Sequence, residues 1–213
     1  MTRRTRERPP LPPELLPEFQ ETGRALSVAG LVSSNSGNMS VRRAGGIVIT
    51  RHDSTLGRLE ASDLIEVAPD TPSHPMASVE LVVHQAVYAT TPARAIVHAH
   101  PPATVALSLT LTSDRIDESA STLLPGPVLI IAAEAASGSR ELADAVSDAL
   151  RGQKIAVVRG HGSFAVGETL AEACERTRQL EEACRALLAS IPSIPPDALA
   201  PNVEEGFSPP QSI

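Results

Sequence analysis

A chain of 213 residues, 42% of them hydrophobic, is long enough for one domain with a sizeable core. Aromatics are 2% and Trp is absent, so that core must come from Leu, Val, Ile and Ala. A net charge of −7 without a long basic stripe argues against a nucleic-acid partner, and no apolar run approaches the ~20 residues of a membrane span.

Residues 1–11 are rich in Arg and Pro and read as a disordered lead. Their basic residues, Arg3, Arg4, Arg6 and Arg8, run into prolines rather than an apolar stretch, so no secretory signal is expected. The domain is expected over 12–190. Pro12, Pro13 and Pro17 suit the first turn of a helix. From Leu15 a helical spacing runs through Phe19, Thr22, Leu26 and Ala29 and stops at Gly30. Residues 33–40 are small and polar and read as a loop. Val41-Arg42 and residues 47–50 flank Gly45-Gly46, which predicts a β-hairpin. Residues 64–67 are a further strand.

Ser78 is a candidate cap for a helix over 79–88. On that helix Glu80 and His84 lie four apart, hence on one face. The run 95–98 then predicts a strand that ends in His98-Ala99-His100-Pro101-Pro102. In a strand, residues i and i+2 face the same way, so His98 and His100 leave the backbone together. A third histidine, His161, follows the apolar run 155–158. One such histidine alone is most simply a structural residue at a strand end. The set of three points to a divalent metal held by imidazoles.

A short helix is expected over 103–109, and 112–124 is polar without clear periodicity. Residues 127–132 read as a buried strand, 139–150 as a helix, and 155–159 and 163–166 as strands. The longest helix spans 169–189. Its apolar stripe is Leu170, Ala173, Cys174, Thr177, Leu180, Cys184, Leu187 and Leu188, with Glu172, Glu175, Arg176, Arg178, Glu181 and Glu182 on the other sides. Cys174 and Cys184 sit roughly 15 Å apart along that helix. That is too far for a disulfide, so reduced thiols in a cytosolic protein are expected. Residues 191–213 carry six prolines and read as a poorly ordered tail. The order of elements predicts an α/β sandwich with a largely antiparallel sheet. No GxGxxG or Walker pattern supports a nucleotide cofactor.

Five segments in order carry a resemblance. They are Ser36-Gly37-Asn38-Met39-Ser40-Val41-Arg42; Gly46-Ile47-Val48-Ile49-Thr50; Ala77-Ser78-Val79-Glu80 with His84 and Tyr88; Ile96-Val97-His98-Ala99-His100-Pro101; and Val158-Arg159-Gly160-His161-Gly162 before the Glu-rich last helix. Together they resemble the class II aldolase/adducin family, in particular its L-fuculose-1-phosphate aldolase branch. The resemblance implies a nine-stranded, mostly antiparallel sheet between helix layers in a cytoplasmic homotetramer with sites at subunit interfaces. It implies Zn2+, or another divalent transition metal, on His98, His100 and His161. Glu80 is similar to the family's acidic residue, which ligates the metal at rest and acts as acid/base. Gly37 and Asn38 match the loop that holds the substrate phosphate, and Thr50 and Ser78 match positions lining the same pocket.

The implied activity is that of a lyase in carbohydrate metabolism, an aldolase cleaving a short ketose 1-phosphate to dihydroxyacetone phosphate and a small aldehyde. A divalent ion can stabilise the negative charge left on the ketone half, and a carboxylate can move the proton. The alternative is a related decarboxylase, dehydratase or epimerase. The epimerase branch usually carries Asp where Glu80 stands, which favours the aldolase. A non-catalytic adducin-like interaction module is the reading of another class, but such modules tend to lose the ligands that this chain keeps.

Two departures from the family pattern stand out. Residues 51–54 are Arg-His-Asp-Ser where a small residue and Gly are usual. There Asp53 would repel a phosphate by ~1 kcal/mol or more at contact, unless Arg51 or His52 compensates, the substrate carries a weaker anion or no phosphate, or the loop turns outward and binds nothing. The only Tyr, Tyr88, precedes the His-x-His segment, so the Tyr that some relatives use as proton donor has no counterpart. Asp117 or Glu118 could approach a neighbouring site, although a solvated loop is the simpler expectation.

Overall fold

The two outer segments of the chain leave a core of alternating helices and strands between them. The computed structural model describes residues 13–69, 71–117, 124, 126–132 and 137–190. The expected lead, the Pro-rich tail and Glu118 lie outside the described residues.

Helix α1 (Leu15–Val28) opens the domain and buries Leu15, Phe19 and Leu26. The hairpin at Gly45-Gly46 forms as expected from β1 (Asn38–Arg43) and β2 (Gly46–Thr50), with β3 (Leu64–Val67) alongside. Then come α2 (Leu81–Thr90), β4 (Ala95–Ala99), α3 (Pro102–Thr110), a two-residue β5 (Arg115–Ile116) and β6 (Val128–Ile131). Helix α4 (Arg140–Leu150), β7 (Ile155–Val158), β8 (Gly162–Gly167) and α5 (Leu170–Ser190) complete the chain.

Among the described residues the strands make one eight-stranded sheet in the order β3-β2-β1-β4-β8-β7-β6-β5, one strand fewer than the resemblance implied. Only β6 and β7 pair in parallel. They are joined through α4, the kind of crossover a parallel pair needs. Every other pair is antiparallel.

Alternation along the strands splits the core into two layers. Val97 and Ala165 face Phe19 and Leu180 of α1 and α5. Ile96, Phe164 and Val166 face Val83, Val87, Leu142 and Val146 of α2 and α4. The sheet is therefore sandwiched between helix layers.

Three expectations need correction. Residues 38–40 belong to β1, not to the preceding loop. Asn38 and Ser40 are buried, and their backbones pair with β4 in the register Asn38↔His98 and Ser40↔Ile96. Helix α2 starts later than expected, at Leu81, with Glu80 as its N-cap residue; the Glu80 carbonyl still accepts from the His84 amide at 3.1 Å. Glu181, placed on the polar side of α5, is only 3% exposed. Its carboxylate accepts hydrogen bonds from the Ala103 and Thr104 amides. Cys174 and Cys184 are free thiols, as expected. Among the described residues no helix is long and apolar enough to cross a membrane.

Candidate metal centre

The register of the sheet creates the site. His98 pairs with Asn38 on one side and with Phe164 on the other, and cross-strand partners share a face. All three therefore face the layer that contains α2. The His98 ring stacks on Phe164, centroids 4.1 Å apart. Its Nδ1 donates to the carbonyl of Ser163 at 3.0 Å, which fixes the tautomer and leaves the Nε2 lone pair facing away from the sheet.

His100 lies just past the end of β4, its amide donating to Leu31 O at 2.9 Å. Its Nε2 comes within 2.9 Å of His98 Nε2, so the two imidazoles converge as the His-x-His spacing predicts. His161 sits in the tight turn between β7 and β8, where its amide donates to Val158 O. Its ring centroid is 5.1 Å from that of His98 and 5.1 Å from that of His100. The turn can approach this closely because Gly162 has no side chain. A Cβ there would stand 2.3 Å from Ala99 O and 2.8 Å from His100 Cδ2. One nitrogen from each of the three rings lies within 4.8 Å of the others.

Glu80 completes the cluster from the N-terminus of α2. Its Oε2 is 3.1 Å from His98 Nε2 and its Oε1 is 3.7 Å from His161 Nε2. Asn38 Nδ2 donates to Oε2 at 3.0 Å and the Ser137 hydroxyl to Oε1 at 2.8 Å. Burial pushes the Glu80 carboxyl up, but His98, the Asn38 and Ser137 hydrogen bonds and His161 together outweigh it and bring it down to about 2. Burial holds the His98 imidazole below its ordinary range against the pull of Glu80. His100 is lowered to about 4, first by burial and then by His98 and His161. The result is neutral His98 and His100 imidazoles beside an ionised carboxylate.

This donor set fits a divalent cation. His98 and His100 aim ring nitrogens at each other at hydrogen-bond distance, and a single +2 ion could use both lone pairs. Among the described residues the buried Asn38 Oδ1 has no hydrogen-bond partner and leaves an acceptor beside the cluster.

The cluster lies in a cleft of about 320 Å³ that reaches from the histidines to Ser36, Arg51 and His52. Gly37, Asn38 and Ser78 line it. Gly37 adopts φ +77°, and a Cβ there would stand 2.7 Å from His98 O. Thr50 departs from expectation. It is fully buried, and its hydroxyl accepts from the Met39 amide at 3.2 Å, so it braces β1 against β2 instead of lining the cleft.

Residues 51–53 do line the cleft, so the loop does not turn away. Arg51 donates through Nε and Nη2 to Asp63 Oδ1 at 3.0 and 2.9 Å, which orients its guanidinium. Asp53 takes the left-handed φ of 58° that a glycine would adopt freely. Its side chain is 79% exposed and 2.9 Å from His52 Nδ1. Asp117 is ion-paired to Arg115 at the surface. Tyr88 is buried, its hydroxyl hydrogen-bonded to Ser40 at both Oγ and O.

Ser137 escapes sequence reading, because a lone serine before Gly138 carries no chemical signature. The Ser163 carbonyl is equally silent, since backbone acceptors leave no trace in residue type.

Comparison with known proteins follows the same outline. The model of the Class II Aldolase and Adducin N-terminal domain matches residues 17–188. Methylthioribulose-1-phosphate dehydratase of Acidiphilium cryptum is 34% identical over 179 residues, 77% of this chain and 85% of that protein. The enzyme of the same name from Gluconobacter oxydans is 31% identical, covering 77% of this chain and 86% of its own. The crystal structure of L-fuculose-1-phosphate aldolase from Thermus thermophilus superposes with a TM-score of 0.76 at 39% identity, covering 84% of this chain and 98% of that one.

Proposed function

This chain belongs to the class II aldolase and adducin family, and from that premise we propose that it is a metal-dependent lyase removing water from a short ketose 1-phosphate of the methylthioribulose kind. The observation that carries the reading is an ionised, buried Glu80 held against three converging imidazoles. The two dehydratase relatives favour elimination over the carbon–carbon cleavage expected from the sequence.

A divalent cation on His98, His100 and His161 would polarise the substrate carbonyl and stabilise the charge that develops on its oxygen; Zn2+ suits three imidazole nitrogens with one position open. In a 2-ketose 1-phosphate the carbon beyond the carbonyl bears an acidic C–H, and the next carbon bears a hydroxyl. Glu80 takes the C–H proton. The electron pair left behind forms the new C=C bond as the C–O bond breaks, the departing hydroxide leaves as water, and the enol product becomes a diketone. Asn38 and Ser137 hold the two carboxylate oxygens toward the imidazoles, so the base is oriented before substrate arrives. Arg51, oriented by Asp63, and the loop at Ser36 are proposed to meet the phosphate. The Asp53 side chain, though it lines the cleft, is 79% exposed, so water and salt screen its repulsion.

The second reading is the aldolase, supported by the fuculose-1-phosphate aldolase neighbour. There Glu80 would accept the proton of that same hydroxyl, and the bond between the two carbons would break to give dihydroxyacetone phosphate and an aldehyde. The buried, hydrogen-bonded Tyr88 gives this chain, or any copy of it, no phenol for the aldehyde half, which weighs toward dehydration. A cytoplasmic homotetramer remains part of the proposal, and light scattering tests its size.

The deciding experiment offers the Zn2+-loaded protein methylthioribulose 1-phosphate and L-fuculose 1-phosphate in turn. Loss of water from the first, read by mass spectrometry, supports the dehydratase. Dihydroxyacetone phosphate from either, read by a coupled assay, supports the aldolase. No turnover of either by metal-loaded protein would overturn both readings.

A further inference from the structure

Helix α3 follows His100 directly and begins with two prolines. Pro101 is its N-cap residue and Pro102 its first helical residue. Neither brings a capping side chain, and Pro102 has no N–H. The first unpaired amides are those of Ala103 and Thr104, and both are met by Glu181 of α5. Ala103 N donates to Oε1 at 3.0 Å and Thr104 N to Oε2 at 2.9 Å, with Thr104 Oγ1 also donating to Oε2 at 3.0 Å. A buried carboxylate thus sits at the positive end of the α3 dipole.

The other end of α3 is tied by the opposite charge. Arg159 Nη1 donates to the carbonyls of Ser108 and Leu111, both at 2.5 Å, and Nη2 donates to Ser113 O at 2.7 Å. The Ser108 hydroxyl accepts from Gly160 N at 2.9 Å. Arg159 and Gly160 lead straight into His161. One end of α3 is therefore continuous with His100, and the other is anchored to the turn that carries His161.

We propose that Glu181 and Arg159 are positioning residues of the metal centre. By clamping the two ends of α3 they make it a spacer of fixed length, and that spacer sets the separation of His100 and His161. Neither side chain needs to touch the ion. The inference rests on the three-imidazole site proposed above.

The test compares Glu181→Gln and Arg159→Gln with Glu18→Gln. Glu18 accepts from the Leu170 amide at the start of α5 and so caps a helix that leads to no ligand. Zn2+ affinity is read by chelator competition, and the ligand geometry by the visible spectrum of the Co2+ form. Circular dichroism establishes that each variant is folded. Arg159→Lys and Glu181→Asp, which keep the charge, provide milder versions if a neutral variant does not fold.

The expected result is a loss of Zn2+ affinity of about tenfold or more for the first two variants, in the range for residues that support ligands. An altered Co2+ spectrum should accompany it, with Glu18→Gln matching wild type and the charge-keeping variants intermediate. Affinity within twofold of wild type in Glu181→Gln and Arg159→Gln, with only thermal stability reduced, would reduce both residues to ordinary helix caps. That outcome would leave the metal site itself standing. A wild-type protein that takes up no Zn2+ would instead overturn the site, and this inference with it.

Discussion

Replacing Gly162 by Ala tests how the site is built without altering any ligand. A Cβ at this position would lie 2.3 Å from the carbonyl oxygen of Ala99 and 2.8 Å from His100 Cδ2. Ordinary contacts there need roughly 3.4 Å or more, so the β8 backbone or the end of β4 must shift by about 1 Å. Both neighbours are constrained: Ala99 is paired with Ser163, and His100 is held by Leu31. Overpacking of this kind costs typically ~1–3 kcal/mol. At ~2–4 °C per kcal/mol for a chain of this size, the apoprotein should melt roughly 2–12 °C lower. His100 must move with the strand end, so metal affinity should fall as well. Gly152→Ala is the control, because among the described residues nothing lies within 4 Å of a Cβ there; its stability should stay within about 0.5 kcal/mol. Differential scanning calorimetry with and without Zn2+ measures both effects. A Gly162→Ala protein that matches Gly152→Ala in melting temperature and Zn2+ response would refute the close approach of the β7–β8 turn to His100.

Three further outcomes are expected. Glu80→Gln keeps the shape but not the base, so turnover should fall by about 10²–10⁴-fold while Zn2+ stays bound, measured by steady-state kinetics beside metal analysis. Free Zn2+ at about 100 times its Kd should raise wild-type stability by ~2.7 kcal/mol; a denaturant titration should show His98→Ala and His161→Ala gaining far less. Burial raises both Cys174 and Cys184 thiols to about 11. Only the thiolate reacts, so labelling of the native protein should be slow at pH 8 and keep rising with pH beyond 9. Rates that level off near pH 8.5 would contradict the buried setting of these thiols.

Much of the fold is written in local patterns. Gly45-Gly46 marks the hairpin, and the spacing of Leu15, Phe19 and Leu26 marks α1. The histidine cluster was legible because His98 and His100 sit at the period of a strand. Two of the misread elements share one cause, since polar residues are assigned to solvent by default. Asn38 and Ser40 looked like loop, yet they are strand residues buried against α2. There Asn38 supports Glu80, and Ser40 bonds to His84 and Tyr88. Glu181 looked like a surface residue of a charged helix. Its burial depends on a partner distant in sequence, the N-terminus of α3, whose two prolines supply no cap of their own. A Pro-Pro start is the trace that could have signalled the need for an external acceptor. Thr50 was assigned to the cleft by analogy, but the β1–β2 register turns its hydroxyl to the Met39 amide. The proposed preference for elimination over cleavage leans on the relatives and on the buried Tyr88, because both reactions ask for the same base beside the same carbonyl.

The pairing of β4 with β8 joins His98 to Phe164 and encloses the 65 residues between them. A chain emerging from the ribosome therefore displays His98 and His100 long before His161. Until β8 crosses back, the early pair offers two imidazoles and no enclosing turn, which is a weak and unselective trap for metals. Closing that long loop is entropically costly and comes late in folding. The proposed metal site would then be complete only with the finished sheet, and metal uptake followed in time should lag behind the formation of secondary structure.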